Sequence, residues 1–381
     1  MLLNKVFNNR YTLKISKFLK YVDKYGVYNG YRLSFNNFDY ETIARKNKNS
    51  KAFDLVNKKI NRGKINNEFD FGYCVFGPLI YEFVKWLDNE TKEYEQILFL
   101  AREGWLLKTA YDTFKGNNDK SKYFLASRRA TSVSAIYTEN DIKDILNQYY
   151  KGSIKNLVYS RFGISISEDY YVTMPQDMEK VIEKLDIEDI LNKAKTERNN
   201  YKKYIEKFSE SCAVVDVGYS GTIQYYLAKM LNKKIDGYYI CSHFNNKPEK
   251  IGCKCESIYG VLNLVDEREN IVFKNQLYVE AVLKAPYGQL VSFNSDGLPV
   301  YNNDLTYNEG IEKIHKGICS YIEDMKGITE KTSAFALMMF QWGIKNTENK
   351  VLNSLSVEDS YCSDGTLVSK NGIQSVNQKF R

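Results

Sequence analysis

Two acidic side chains, Glu103 and Asp216, each stand at the end of a short apolar run and just before a glycine-containing turn. Carboxylates placed in this way can hold a hard cation such as Mg²⁺ or act as a general acid and a general base. Each can instead cap the helix that follows it, because carboxylate oxygens accept hydrogen bonds from the first N–H groups of a helix. The first interpretation predicts that Glu103 and Asp216 are the catalytic residues and the ligands of a Mg²⁺ ion.

Three arginines follow the same kind of run. Arg102 comes after residues 97–101, and Arg128 and Arg129 come after residues 122–127. A guanidinium group binds phosphate or carboxylate through two parallel hydrogen bonds. The pattern predicts that the three arginines bind phosphate, with salt bridges to an acidic cap at 139–208 as the alternative.

The turns themselves are built from small residues that suit an anion. We predict that their backbone and hydroxyl groups contact phosphate, because glycine lets N–H groups approach an anion at a helix start. The predicted contacts are Gly104, Gly218, Ser220, Gly221 and Thr222. A capped helix after a tight turn is the alternative for 218–222, which lacks the P-loop lysine and the glycine spacing of dinucleotide motifs.

The elements that position these residues are predicted from hydrophobic periodicity. An apolar run at 97–101 is followed by apolar residues at helical spacing, which indicates a buried strand, a tight turn and a helix. The same pattern recurs with strands at 122–127, 212–217 and 237–241. Strands that alternate with helices favour a parallel sheet, and ligands bind where the carboxyl ends of such strands meet. The sequence therefore predicts an α/β fold with both turns at one edge of the sheet.

Changes in charge and hydrophobic pattern along the chain predict an inserted helical cap and a mixed α/β C-terminal extension. The predicted divisions are an N-terminal helical region (1–69), the first part of the core (70–138), a helical cap (139–208), the second part of the core (209–300) and a C-terminal helical extension (301–381).

The composition narrows the class of protein. The chain has 381 residues, of which 43% are apolar, so it can bury a large core. No stretch approaches the roughly 20 uninterrupted apolar residues of a membrane span. The first ten residues lack the apolar centre of a signal peptide, which predicts a cytoplasmic protein. Seven scattered cysteines argue against a disulfide framework, and two histidines argue against a histidine-rich zinc site.

The net charge of +7 is spread thinly, and we expect no nucleic-acid partner. Residues 11–24 have the pattern of a basic amphipathic helix. Such a helix either docks on the body of the protein or makes peripheral contact with the inner face of the membrane.

Four blocks of sequence together resemble a family of known proteins. They are FGPLI at 76–80, FLAREG at 99–104, SRRA at 127–130 and VDVGYSGT at 215–222. The blocks resemble, in order, the FGP, FLxRDG, SRRA and DIGWSGT stretches of haloacid-dehalogenase-like (HAD-like) proteins from bacterial surface-polysaccharide gene clusters. The resemblance implies a Rossmann-like sheet with a helical cap and, in active members, Mg²⁺-dependent phosphoryl transfer through an aspartyl nucleophile.

The chain departs from the active pattern of that family. The family nucleophile is the first Asp of an Asp-x-Asp motif on the first strand, before the cap. The nearest match is Ser34-Phe35-Asn36-Asn37-Phe38-Asp39, which has Asn36 at the nucleophile position. An amide cannot form an aspartyl phosphate. A further phosphate contact is missing if Ala101 occupies the family's Ser/Thr position.

These observations lead to one functional hypothesis and two alternatives. The first is a surface-polysaccharide protein of phosphatase or phosphotransferase type that acts on a phosphorylated sugar or a nucleotide-sugar. The second is a catalytically inactive scaffold that binds glycan-assembly enzymes. The third is a glycosyltransferase on a Rossmann-like fold.

Overall fold

The computed structural model describes residues 39–116, 118–243, 246–262, 270–302 and 307–356. The predicted basic helix at 11–24 and the motif around Asn36 lie outside the described residues. The helices up to the fourth strand are α1 (Tyr40–Asn47), α2 (Lys51–Asn57), α3 (Glu68–Phe71), α4 (Gly77–Glu90), α5 (Gly104–Lys115), α6 (Arg128–Ser134), α7 (Glu139–Leu146) and α8 (Ile154–Phe162). A π-helical segment, Gly72–Phe76, joins α3 to α4.

The remaining helices are α9 (Met178–Ile182), α10 (Ile187–Ile205), α11 (Thr222–Leu231), α12 (Lys247–Lys250), α13 (Ile271–Lys274), α14 (Gln276–Val282), α15 (Glu309–Asp324), α16 (Ser333–Asn346) and α17 (Asn349–Leu352). No helix in the described ranges is long and apolar enough to cross a membrane.

The strands are β1 (Gln96–Leu100), β2 (Ser121–Phe124), β3 (Tyr150–Ser153), β4 (Tyr171–Met174), β5 (Cys212–Asp216), β6 (Asp236–Tyr239), β7 (Ser242–His243), β8 (Cys255–Ser257), β9 (Val261–Leu262), β10 (Leu290–Phe293) and β11 (Pro299–Tyr301). Five of them form the central sheet in the order β2-β1-β5-β6-β8, and every neighbouring pair is parallel. The prediction of an α/β protein with a parallel, Rossmann-like sheet is confirmed. The fifth strand, β8, was not predicted from the sequence.

Helices cover both faces of the sheet. Ile97 and Phe99 of β1 point to one face, where they share a core with Leu107 and Tyr111 of α5. Leu98 and Leu100 point to the other, because side chains alternate along a strand. That second face packs against α10 and α11 through a separate core. The protein is therefore a three-layer α/β/α structure.

The segment predicted as a helical cap contributes to this second layer. Tyr201 and Tyr204 of α10 bind the backbone just beyond β2: the Tyr201 hydroxyl donates to the Leu125 carbonyl at 2.8 Å, and the Leu125 N–H donates to the Tyr204 hydroxyl at 2.8 Å. The segment is not wholly helical, because β3 and β4 form an antiparallel pair within it. Helix α10 thus serves as the crossover helix that leads to β5.

The C-terminal part combines a hairpin with two long helices. Strands β10 and β11 pair antiparallel around a turn at Ser295-Asp296-Gly297. Helices α15 and α16 share the first core with α4 and its π-helical extension. They close the face of the sheet that carries α5.

Candidate functional site

The strand order reverses direction between β1 and β5. From β1 the chain crosses to β2 through α5 on one face, and from β5 it crosses to β6 through α11 on the opposite face. The helices that follow the two strands therefore diverge and leave a crevice beyond the strands' carboxyl ends. Such a switch point is where open α/β sheets bind ligands. The structure places the turns that contain Glu103 and Asp216 on the two sides of this crevice.

The turn after β1 is held tightly against the strand. The Ala101 N–H donates to the Phe124 carbonyl at 2.9 Å, and the Trp105 N–H donates to the Arg102 carbonyl at 3.0 Å. A Cβ atom on Gly104 would lie 2.6 Å from the Phe99 carbonyl carbon. Glycine at this position is required by close packing, which accounts for the residue without a ligand.

The turn after β5 is equally tight. Gly218 has φ +139°, and a Cβ atom there would lie 2.1 Å from the Cys241 carbonyl oxygen. The His243 N–H donates to the Tyr219 carbonyl at 2.7 Å. Helix α11 then begins after Gly221, with Ser220 exposed and Thr222 half-buried. The backbone of the turn is thus anchored to the segment after β6.

Neither acidic side chain caps its following helix in the described structure. Glu103 is the residue before α5 but makes no capping bond, and its Oε2 instead accepts from the Arg102 N–H at 3.2 Å. Asp216 Oδ1 accepts from the adjacent Val217 N–H at 2.8 Å. The capping alternative is therefore not realised, and both carboxylates remain in the turns that line the crevice.

Asp216 is strongly perturbed by its surroundings. Burial raises the pKa of its carboxyl well above the usual range, and the negative charges of Glu103 and Glu280 raise it further. The Val217 N–H and the positive charge of Arg128 act in the opposite direction on this pKa. These couplings place Glu103, Glu280 and Arg128 in electrostatic range of Asp216, so the crevice brings together three carboxyl groups and an arginine.

Tyr219 adds a buried hydroxyl to the same region. Its oxygen has no hydrogen-bond partner among the residues that the structure describes. Burial raises the pKa of the phenol, and Glu280, Cys241 and Asp216 raise it further. The ring packs edge-on against Phe273 at 5.0 Å between centroids. A buried polar atom usually has a partner, so a hydroxyl in this state is a feature to explain.

Glu280 and Tyr219 were not predicted as site residues. Glu280 lies in α14, far from either turn in sequence, and no motif surrounds it. Tyr219 lies within the predicted turn. The chain has 31 tyrosines, so the residue type alone does not mark Tyr219 as a site residue. Only the packing of α14 beside the turn after β5 reveals the pair.

The two adjacent arginines have different environments. Ser127 caps α6, since its Oγ accepts from the Ala130 N–H at 3.0 Å, and this fixes the start of the helix. Arg128 is half-buried and acts on Asp216. Arg129 is buried and forms a double hydrogen bond with Glu197 of α10. For Arg129 the alternative of a salt bridge to an acidic helix is the one that the structure shows.

Aromatic rings border the crevice beside the turn after β1. The Trp105 ring lies edge-on to Tyr123 at 5.4 Å and to Tyr287 at 5.2 Å between centroids. Burial raises the pKa of Tyr123, the charge of Glu103 raises it further, and the charge of Arg102 lowers it. The Tyr123 phenol therefore lies in the electric field of both side chains.

Metal binding at this site depends on few ligands. Across the described ranges, no group of three or more His, Cys, Asp or Glu side chains is arranged to hold a metal ion. Mg²⁺ often binds proteins through one or two carboxylates, with waters and substrate phosphate completing its coordination. Glu103 and Asp216 fit that requirement, since their mutual repulsion would be relieved by a cation.

A comparison with family models found no match to this chain, and a comparison with curated proteins found none either.

Proposed function

We propose that the crevice between β1 and β5 binds the phosphate of a phosphorylated sugar or a nucleotide-sugar, and that the protein transfers the phosphoryl group in surface-polysaccharide assembly. One observation carries the proposal: the coupled pair Glu103 and Asp216 lies with Arg128 at the switch point of the sheet. The resemblance to HAD-like proteins supports the class of substrate.

Phosphate binding is assigned to Arg102 and Arg128. Both follow the carboxyl ends of neighbouring strands, β1 and β2, and both are half-buried. A partly desolvated guanidinium forms stronger, bidentate bonds to phosphate than an exposed one. The N–H groups at the start of α11, after Gly221, would add donors and the favourable end of the helix dipole. Arg129 has no part in this assignment, because Glu197 holds it.

The acid and base follow from the electrostatics of the pair. The raised pKa of Asp216 favours its protonated form, which can donate a proton to the sugar oxygen as the phosphorus–oxygen bond breaks. Glu103 can take the proton from the attacking water or acceptor hydroxyl as the new bond to phosphorus forms. Glu103 gains one proton and Asp216 loses one, so the number of protons balances. The products are the free sugar and either phosphate or a phosphorylated acceptor.

The end of β1 also bears on the nucleophile. Among the described residues, β1 is the first strand of the sheet, and its end reads Ala101-Arg102-Glu103. That end has no aspartate, and the nearest match to the family's Asp-x-Asp motif has Asn36 at the nucleophile position. Both features support direct transfer to water or an acceptor, without an aspartyl-enzyme intermediate.

A Mg²⁺ ion would be held by Glu103 and Asp216 and would neutralise charge on the phosphate. Binding it would displace the proton from Asp216, so the apparent Mg²⁺ affinity would rise with pH. Asp216 would have no proton to donate while it held Mg²⁺, so its metal role and its acid role are alternatives, which the pH dependence of turnover with and without Mg²⁺ distinguishes.

The test is a thermal-shift and product assay on the full chain. The ligands are inorganic phosphate, hexose phosphates, nucleoside diphosphates and nucleotide-sugars, each with and without Mg²⁺. A ligand that binds only the folded state raises the melting temperature. We expect a shift with sugar phosphates and release of phosphate or transfer product, both reduced in Asp216→Asn and Glu103→Gln.

The matched control is Glu93→Gln, an exposed carboxylate at the opposite end of β1. It should behave as the unmodified chain. No shift with any of these ligands would overturn the proposal. A shift without turnover, together with co-purification of a glycan-assembly enzyme with the full chain, would favour the inactive scaffold, which the asparagine at the nucleophile position motivates. Transfer of the sugar rather than phosphate would favour the glycosyltransferase.

A further inference from the structure

The aromatic rings beside the crevice come from four separate segments of the chain. Trp105 is in the first turn of α5, Tyr123 is in β2, Tyr287 lies between α14 and β10, and Tyr301 ends β11. Periodicity does not predict that these segments meet. Their convergence at the rim of one crevice makes them a surface in its own right, which we call the aromatic rim.

The aromatic rim is accessible. Tyr287 is 45% exposed and Tyr301 is 39% exposed, although large rings are usually more deeply buried. Trp105 and Tyr123 are half-buried beneath them. The Trp105 ring meets both Tyr123 and Tyr287 at nearly right angles, with interplanar angles of 83° and 87°. Edge-to-face contacts of this kind are favourable, and the exposure of Tyr287 and Tyr301 leaves ring surface open to solvent.

The rim is continuous with the phosphate site. Trp105 follows Glu103 and Gly104 directly in the chain. The charge of Glu103 raises the pKa of Tyr123, and the charge of Arg102 lowers it. A ligand whose phosphate contacts Arg102 would extend its next group over these rings. The rings provide apolar faces for stacking, and the phenols provide hydroxyls that both donate and accept hydrogen bonds.

We propose that Trp105, Tyr123, Tyr287 and Tyr301 form a subsite that stacks against the hexose ring of a sugar phosphate whose phosphate lies in the adjacent crevice. This inference rests on the proposed function and specifies which part of the ligand the protein recognises. A hexose has the same mixed character as the rim, with apolar C–H faces and hydroxyls around its edge. The rim would therefore give selectivity for the sugar, while the arginines recognise only the phosphate.

The test compares inorganic phosphate with hexose 1-phosphates on the same variants by calorimetric titration. The probes are inorganic phosphate and the 1-phosphates of glucose, galactose, mannose and N-acetylglucosamine. The variants are Tyr287→Ala, which removes the exposed ring, and Tyr287→Phe, which keeps it. Tyr159→Ala is the matched control, because Tyr159 is a tyrosine of α8 with 63% exposure.

We expect Tyr287→Ala to weaken binding of the preferred hexose 1-phosphate by about 3- to 10-fold, the size of one aromatic contact. Phosphate affinity should be unchanged in this variant. Tyr287→Phe keeps the stacking ring and loses the hydroxyl, so it should lose less hexose 1-phosphate affinity than Tyr287→Ala, and Tyr159→Ala should bind both kinds of ligand as the unmodified chain does. If every hexose 1-phosphate binds no more tightly than phosphate, or if Tyr287→Ala affects both ligands equally, the subsite is overturned while the phosphate site stands. If no probe binds the unmodified chain, the proposed function fails and the subsite fails with it.

Discussion

The crevice at the switch point and the contact between α6 and α10 both contain arginine and glutamate, yet they differ in how the charges are satisfied. Between α6 and α10, Arg129 binds both oxygens of Glu197 and also donates to the carbonyls of Val291 at 2.7 Å and Phe162 at 3.2 Å. In the crevice, Asp216 faces two other carboxyl groups as well as Arg128. Opposite charges pair directly between α6 and α10, whereas carboxyl groups in the crevice lie within electrostatic range of one another.

The difference separates a structural ion pair from a candidate binding site. A buried ion pair is tolerated when its members satisfy each other, as Arg129 and Glu197 do. Carboxyl groups that repel one another in a half-buried crevice cost stability and are typical of functional sites. Four predictions test this comparison.

The largest effect is expected from Arg129→Ala. The substitution leaves Glu197 buried without its guanidinium partner, which should lower the free energy of unfolding by about 3 to 5 kcal/mol. Urea denaturation would measure it, with Arg128→Ala as the neighbouring control. A loss below about 1 kcal/mol for Arg129→Ala would mean that the ion pair is no more than a surface contact.

Arg128→Ala should mainly weaken phosphate binding, whereas Arg129→Ala should mainly lower stability. Removing a charged hydrogen-bond donor to phosphate should weaken phosphate binding by about 10- to 100-fold, measured by calorimetric titration. The free energy of unfolding should fall by less than it does in Arg129→Ala, because Arg128 is half-buried and Arg129 is buried. Arg128→Lys keeps the charge but not the fork geometry, so it should restore only part of the affinity. Equal affinity in all three proteins would remove Arg128 from the site.

Asp216→Asn should stabilise the protein at high pH. Because the folded pKa of Asp216 is raised, the folded state binds a proton more tightly than the unfolded state. Stability therefore falls as pH rises from about 4, the unfolded value, through the raised folded pKa. The variant lacks this fall, since its amide has no charge for Glu103 and Glu280 to repel.

We expect Asp216→Asn to be more stable than the unmodified chain by about 1 kcal/mol at pH 8, with the difference vanishing near pH 4. Urea denaturation at several pH values measures it. A variant that is less stable at pH 8 would show that Arg128 and the Val217 N–H outweigh the carboxyl repulsion.

The smallest effect is expected from Tyr219→Phe. Its hydroxyl lacks a described partner, so removing it should change the free energy of unfolding by less than about 0.5 kcal/mol. The matched variant is Tyr201→Phe, in which the donated bond to the Leu125 carbonyl is lost, at a cost of about 1 kcal/mol. If the two variants are equally destabilised, Tyr219 has a structural partner and is not a free donor in the crevice.

Much of the fold was predictable from local patterns. The run at 97–101 followed by helical spacing corresponds to β1 and α5, and the run at 212–217 corresponds to β5. These predictions succeed because alternation along a strand, helical periodicity and glycine turns are properties of a few consecutive residues. The β3 and β4 pair inside the predicted helical cap was missed, since each strand has only four residues.

The site was predictable only in part. The placement of Glu103 and Asp216 at one edge followed from the parallel sheet, because the carboxyl ends of parallel strands lie together. Their phosphate, Mg²⁺ and catalytic roles remain predictions, as do the roles of Ser220 and Thr222. The close packing around Gly104 and Gly218 gives these glycines a structural reason that composition does not reveal.

Local sequence determined the strands, the turns and the edge at which the acidic residues emerge, because each depends on the order of neighbouring residues. Three-dimensional packing decided which side chains share an environment. Arg128 and Arg129 are adjacent and alike in sequence, but one acts on Asp216 while the other is enclosed by Glu197 of α10. The charge of Glu280 in α14 acts on Tyr219 although the two residues are far apart in sequence. Electrostatic and hydrogen-bond energies depend on distance in space, which the order of residues along the chain does not specify.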